Sequence, residues 1–183
     1  MWIRDDEFIR GDIPMTKFEI RSLVMAFMDI EKKDSFLDIG GGTGSISVQA
    51  AKLGAETTAV EREKEGFELI EKNAEKHGVK VRAVHGEAPE DIPEGKYDKI
   101  FIGGSGKRME EILDTVFPML ENGGIIAATF ITLKNLHIFR EKLKEFGIKN
   151  IETSLIQASR VKTKAEMMIA ENPIFIVGGR KIV

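Results

Sequence analysis

The stretch Ser-Phe-Leu-Asp-Ile-Gly-Gly-Gly-Thr-Gly at residues 35–44 constrains the fold more than any other part of the chain. A short apolar run ends in four glycines within five residues, and Ser45 to Leu53 then carries a helical pattern closed by Gly54. A strand that passes through a glycine turn into a helix opens a parallel βα unit. The alternation recurs downstream. Thr57 to Val60 reads as a β-branched strand, Glu63 to His77 as a helix stopped by Gly78, and Val81 to His85 as a third strand. Lys99 to Ile102 is a fourth strand, followed by Gly103-Gly104-Ser105-Gly106 and a helix over Met109 to Phe117 that Pro118 ends. Ile125 to Phe130 is a fifth strand, and Leu136 to Phe146 a helix stopped by Gly147.

Ahead of the first strand, Thr16 to about Ile30 reads as a helix striped by Phe18, Leu23, Val24, Phe27 and Met28, and Thr16-x-x-Glu19 has the form of a capping box. Past Gly147 the rhythm changes. Ile151 to Gln157 and Ile174 to Val177 read as two strands with no clear helix between them, which implies an antiparallel hairpin at one sheet edge. The expected class is α/β, with a mostly parallel sheet and helices on both faces. At roughly 150 residues per domain, the 183 residues make one domain over 1–183, with residues 1–30 an N-terminal segment and helix covering the site.

Composition removes several kinds of chemistry. Cysteine is absent, which excludes disulfides, thiolate metal sites and cysteine nucleophiles. The three histidines, His77, His85 and His137, show no metal-ligand spacing, so no protein-bound metal is expected. The N-terminus lacks the apolar run of a signal peptide, and no stretch approaches the roughly 18 apolar residues that span a bilayer. A cytoplasmic chain with no membrane partner is expected. Its net charge of −3 gives no basic footprint for nucleic acid.

Ligands of an open α/β sheet lie beyond the carboxyl ends of the strands, which points to the glycine turn. A P-loop needs G-x-x-x-x-G-K-[ST], and no lysine follows Ser45. A dinucleotide fingerprint needs a third glycine where Ser45 stands. Asp38-x-Gly40-x-Gly42-x-Gly44 works instead as one unit, in which alternate glycines let backbone pass close beneath a ligand. A carboxylate at Asp38 suits an amine rather than a pyrophosphate. Glu61 closes the second strand 23 residues later, placed to accept hydrogen bonds from a ribose diol. Adenosine with a charged amino-acid tail and no phosphates fits this set best. Each feature also has a plainer reading: the glycines as a structural turn, Glu61 as part of the charged run Arg62-Glu63-Lys64-Glu65, Thr16 as a helix cap.

Asp38-Ile39-Gly40-Gly41-Gly42-Thr43-Gly44 resembles motif I of class I S-adenosylmethionine-dependent methyltransferases, and the acidic end of the second strand and Gly123-Gly124 before the fifth agree with it. That resemblance implies a Rossmann-like, seven-stranded, mostly parallel sheet with an antiparallel last strand. Over nearly the whole chain the sequence is similar to the decarboxylating cobalt-precorrin-6B methyltransferases of cobalamin biosynthesis. The residues that carry this are Asp5-Asp6-Glu7-Phe8, Met15-Thr16-Lys17-x-Glu19-Ile20-Arg21, Gly86-Glu87-Ala88-Pro89-Glu90, Gly103-Gly104-Ser105-Gly106, Ser159-Arg160, Met167-Met168 and Asn172-Pro173. The resemblance implies methylation of carbon 15 of the macrocycle with loss of the ring C acetate carboxyl.

It further implies S-adenosylmethionine contacts at Thr16, Gly40, Gly41, Gly42, Thr43, Gly44, Glu61 and Ala88, with Glu87 near the adenine. Arg4, Lys17, Arg21, Lys107, Arg108, Arg160, Lys162 and Lys164 are candidate partners for the carboxylates of a tetrapyrrole substrate, and at least half are expected to be surface charges. Arg21 and Arg160 are the preferred clamps, because guanidinium binds carboxylate bidentately. Gly104 and Ser105 are candidate substrate contacts. Relatives often carry an acid just after the fifth strand where this chain has Lys134, so no catalytic acid is assigned. A homo-oligomer, a tetramer, is implied, with Met167-Met168-Ile169 a candidate contact or core filler. The alternatives are a class I methyltransferase acting on protein or RNA, a non-catalytic adenosine sensor and a nicotinamide oxidoreductase. One Trp and one Tyr, against eleven Phe, leave little for base stacking on RNA. Gly103-Gly104-Ser105-Gly106 is similar to a stretch of protein isoaspartyl methyltransferases.

Overall fold

The structure is a computed structural model that describes residues 1–162 and 166–182. In chain order its strands are β1 (Ser35–Ile39), β2 (Glu56–Glu61), β3 (Val81–His85), β4 (Tyr97–Ile102), β5 (Leu120–Phe130), β6 (Glu152–Ile156), β7 (Ser159–Lys162), β8 (Met167–Ala170) and β9 (Ile174–Arg180). The helices are α1 (Phe18–Met28), α2 (Ser45–Leu53), α3 (Lys64–Lys76), α4 (Met109–Val116) and α5 (Leu133–Glu145). Seven strands form one sheet in the order β3-β2-β1-β4-β5-β9-β6. The first five run parallel, and β9 pairs antiparallel with both β5 and β6. This is the Rossmann-like class I methyltransferase sheet that the resemblance implied.

Alternation along each strand sorts the side chains into two layers. Phe36 of β1 packs with Val24 and Met28 of α1 and Ile46 and Ala50 of α2. Leu37 and Ile39 pack on the other face, with Ile112 and Leu113 of α4 and Phe139 and Leu143 of α5. The same period turns Asp38 toward α2, where Ser47 meets it. On that face α3 lies beside α2, with Ala74 of α3 and Val48 of α2 packed in one cluster with Ile3, Phe8 and Met15 of the N-terminal segment.

Three local expectations are corrected. The first helix begins at Phe18 with Lys17 as its N-cap, and the capping box does not form. Glu19 pairs with Arg160 instead, and the Thr16 carbonyl accepts from Arg21. The fifth strand begins at Leu120, where Leu120 pairs with Tyr97 before the register shifts ahead of Ile125. The stretch after Gln157, where no clear helix is expected, has none among its described residues and carries instead β7 and β8, a separate two-stranded ribbon that the sequence reading does not include. Its Val161, Met167 and Met168 are exposed, so no core face imposes an alternation readable in sequence. Lys164 and the side chain of Lys162, both candidate cations, lie outside the described residues.

Candidate active site

The chain runs β1, β2, β3 outward along the sheet, then returns to place β4 on the other flank of β1. The strand order therefore reverses between β1 and β4, and a crevice opens beyond their carboxyl ends. Gly40 forms its floor. Its φ is +74°, and a Cβ there would lie 2.7 Å from the Gly104 nitrogen, in backbone that cannot easily move. The Gly103 nitrogen also donates to the Ile39 carbonyl at 2.9 Å. Gly40 and Pro14 line two adjoining chambers, of about 370 Å³ and about 300 Å³.

The larger chamber lies over the ends of β1 and β2. Its polar wall is Glu61, which is 7% exposed. One carboxylate oxygen accepts from the Gly42 nitrogen and the other from the Glu63 nitrogen, each at 2.8 Å. That carboxylate is held in place by α3, because a Cβ on Gly66 would lie 2.7 Å from Glu61 Cγ. Gly86, whose nitrogen donates to the Glu61 carbonyl at 3.0 Å, lines the chamber with Glu87 and Ala88, and Ile39, Val60 and Ile112 add apolar surface. The loop bearing Glu87 and Ala88 is anchored by Arg108, whose Nη1 and Nη2 donate to the two Glu90 oxygens at 2.7 and 2.6 Å.

The smaller chamber lies over α2 and the end of β5, lined by Thr16, Asp38, Gly41, Gly42, Thr43 and residues 129–131 among others. Asp38 is 1% exposed, and burial pushes its carboxyl up to about 7, with Glu61 adding to the rise and the Ser47 hydroxyl opposing it. Ser47 donates to Oδ2, while Oδ1 of Asp38 and Oγ1 of Thr43 are buried with no partner. Unpaired buried polar atoms are costly, and both residues that carry them line the smaller chamber, which marks it as a place for a polar ligand. The residues before α1 roof both chambers, since Ile13 and Pro14 line the larger one and Pro14, Met15 and Thr16 the smaller.

Of the expected cofactor contacts, Thr16, Gly40, Gly41, Gly42, Thr43, Glu61, Glu87 and Ala88 line one chamber or both. Gly44 lines neither; it sits behind the turn, where a Cβ would lie 3.0 Å from the Ile70 backbone. Gly104 and Ser105, expected beside the substrate, share the larger chamber with Glu61. Arg21 is corrected outright as a substrate clamp, because it is fully buried. Its guanidinium donates to the carbonyls of Ile3 and Thr16 at 2.7 and 2.8 Å and to Asp5 at 3.2 Å. Arg160 is half-exposed and uses Nη2 to reach Glu19 at 2.6 Å and Asp5 at 3.1 Å. Of the other candidate cations, Arg108 is tied to Glu90 and Glu111.

Sequence reasoning missed Gly66 and Ser47. A glycine inside a charged helical run was the available signal for Gly66, since it costs about 1 kcal/mol there relative to alanine. Ser47 stands nine residues after Asp38 and gives no local sign. Among the described residues no three His, Asp or Glu side chains group as metal ligands, and no helix is long and apolar enough to cross a membrane.

A family model described as the precorrin methyltransferase domain matches residues 7–177. A protein of Sulfurisphaera tokodaii named as a probable cobalt-precorrin-6B C(15)-methyltransferase (decarboxylating) is 42% identical over 98% of this chain and 97% of its own length. The crystal structure of a precorrin-6y C5,15-methyltransferase from Geobacter metallireducens superposes with a TM-score of 0.90 at 31% identity, covering 99% of this chain and 97% of the other. A precorrin 8W decarboxylase of Methanobacterium thermoautotrophicum superposes with a TM-score of 0.86 at 32% identity, covering 97% and 98%.

Proposed function

The chain belongs to the precorrin methyltransferase family, and from that premise we propose that it methylates carbon 15 of cobalt-precorrin-6B from S-adenosylmethionine and releases the ring C acetate carboxyl as carbon dioxide. The observation that carries this reading is the pair of chambers meeting at Gly40, one with a ribose acceptor and one with an unpaired buried carboxylate oxygen. A nucleoside fits the first, with its diol on Glu61 and its base between Glu87, Ala88 and Ile112. An amino-acid tail fits the second, with its ammonium on Oδ1 of Asp38 and its carboxylate toward Thr16 and Thr43. Gly44 supports the turn from behind.

S-adenosylmethionine supplies an electrophilic methyl on a sulfonium, and attack on it is an in-line displacement that needs alignment more than acid–base groups. Fixed geometry of this kind is worth about 7–11 kcal/mol of a barrier. The macrocycle is large, flat and rimmed with carboxylates. The lip of the smaller chamber suits its face, since Ile131, which lines it just past the end of β5, is 73% exposed, and Leu133, two residues on, is 71% exposed. Arg160 suits its rim, by exchanging Glu19 for a substrate carboxylate. Lys134, exposed in the first turn of α5, suits it equally.

Once the methyl cation has been added, the conjugated ring accepts the electron pair of the carbon–carbon bond as carbon dioxide leaves. A proton shift then converts the exocyclic methylene to a methyl group. Charge balances without an external acid, and the chain's part is orientation and electrostatics; the cobalt belongs to the substrate, with no metal assigned to the protein. A cytoplasmic location suits this reading. A homotetramer joined through Val161, Met167 and Met168 suits the apolar surface of the β7–β8 ribbon, and neither nucleic acid nor membrane is a partner in this reading.

Titration calorimetry with S-adenosylmethionine tests the cofactor half. Free Asp38 keeps its proton up to about pH 7, whereas the bound ammonium favours the carboxylate, so binding expels that proton below pH 7. Affinity should rise from pH 5 to pH 7 by up to about tenfold per unit and level off above. Asp38→Asn should bind more weakly with a flatter profile. An unchanged profile in that variant contradicts the placement of the ammonium.

A further inference from the structure

Three buried polar side chains hold the backbone of the N-terminal segment onto the body of the protein. Gln49 of α2 accepts from the Ile3 nitrogen at 3.0 Å, and Arg21 of α1 donates to the Ile3 carbonyl. Asn73 of α3, itself fully buried, does more. Its Oδ1 accepts from the Ile9 nitrogen at 2.7 Å, and its Nδ2 donates to the Ile9 carbonyl at 3.0 Å and to the Thr43 carbonyl at 2.9 Å. Both amide hydrogens are therefore engaged, one by the strap and one by the glycine turn. The strap continues from Ile9 to Ile13 and Pro14, which roof the chambers, and a Cβ on Gly42 would already touch Ile13 and Pro14 at 3.4 Å. Asn73 itself lines neither chamber.

We propose that Asn73 is a positioning residue for S-adenosylmethionine binding, coupling the roof formed by the N-terminal strap to the glycine turn that holds the cofactor. One planar amide fixes the separation of Ile9 and Thr43, so neither backbone shifts without losing a hydrogen bond to a buried side chain. A ligand that orders the turn then orders the strap, and a strap in place lowers the cost of ordering the turn. Coupling of this kind is reciprocal. Gln49 holds the strap at Ile3, whereas Arg21 holds it at both Ile3 and Thr16, so Gln49 is the partner whose role separates from that of Asn73.

The inference rests on S-adenosylmethionine being the ligand of the cleft, and the test separates the two. Amide hydrogen exchange on the unaltered full-length chain should show the Ile9 amide protected further by saturating S-adenosylmethionine, by about fivefold or more. Ile9 is outside both chambers, so direct contact does not account for that protection. Asn73→Asp keeps the acceptor for Ile9 and removes both donors. Its KM for S-adenosylmethionine should rise about tenfold or more, with kcat at saturation within about threefold of the parent. Gln49→Ala should destabilise the chain while leaving that KM within about threefold.

A Ile9 amide indifferent to bound ligand overturns the coupling, and this measurement decides alone if Asn73→Asp does not fold. So does an Asn73→Asp protein with an unaltered KM, or a Gln49→Ala protein that loses as much. Failure of the unaltered chain to bind S-adenosylmethionine sinks the functional proposal and takes this inference with it.

Discussion

Gly66→Ala is expected to weaken S-adenosylmethionine binding by about 10–100-fold while leaving the thermal midpoint nearly unchanged. Helix propensity alone makes alanine the better residue in α3 by about 1 kcal/mol. The space it needs is taken. Its Cβ would stand 2.7 Å from Glu61 Cγ and 3.1 Å from the Gly42 carbonyl oxygen. The Glu61 side chain can swing away, but only by breaking its bonds to the Gly42 and Glu63 nitrogens, and with them the placement of the ribose acceptor. Calorimetry beside a thermal melt separates the two effects. Parental affinity in a folded Gly66→Ala protein would show that the position of Glu61 does not govern binding.

The largest effect on stability is expected at Arg21. Arg21→Met keeps most of the volume but leaves the Ile3 carbonyl without its donor, the Thr16 carbonyl with only the Ser45 hydroxyl at 3.5 Å, and Asp5 with Arg160 alone. It also removes a cation from the face of Phe8, 4.7 Å from the ring centroid. Leaving the Ile3 carbonyl unsatisfied beside a buried apolar side chain, and losing the Arg21 half of the part-buried pair with Asp5, together cost roughly 3–5 kcal/mol. For a chain of this size that lowers the thermal midpoint by about 6–20 °C. A midpoint within about 2 °C of the parent, less than 1 kcal/mol, contradicts the account of Arg21 as the pin of the N-terminal segment.

Arg21 also shows where sequence reading fails. In the sequence it is one cation among several near a site expected to bind carboxylates. Its burial follows from Ile3, Asp5 and Thr16 folding back around α1, and no local pattern records this. Asn73 and Gln49 are illegible for the same reason, since their partners lie 64 and 46 residues away. The sheet was legible because its signals are local: β-branched runs, helical stripes and glycines at the turns. The cofactor turn was legible because close backbone approach restricts residue type at Gly40, and because Glu61 ends a recognisable strand. The ribbon of β7 and β8 was not, since neither of its faces is buried deeply enough to impose a pattern.

The central claim is that one site carries out both methyl transfer and decarboxylation. Mass spectrometry of cobalt-precorrin-6B incubated with the protein and S-adenosylmethionine tests it most directly. The account predicts one product that has gained a methyl group and lost carbon dioxide, formed together with S-adenosylhomocysteine. A methylated product that retains every carboxyl, or an unaltered macrocycle in a preparation shown to bind S-adenosylmethionine, would contradict it.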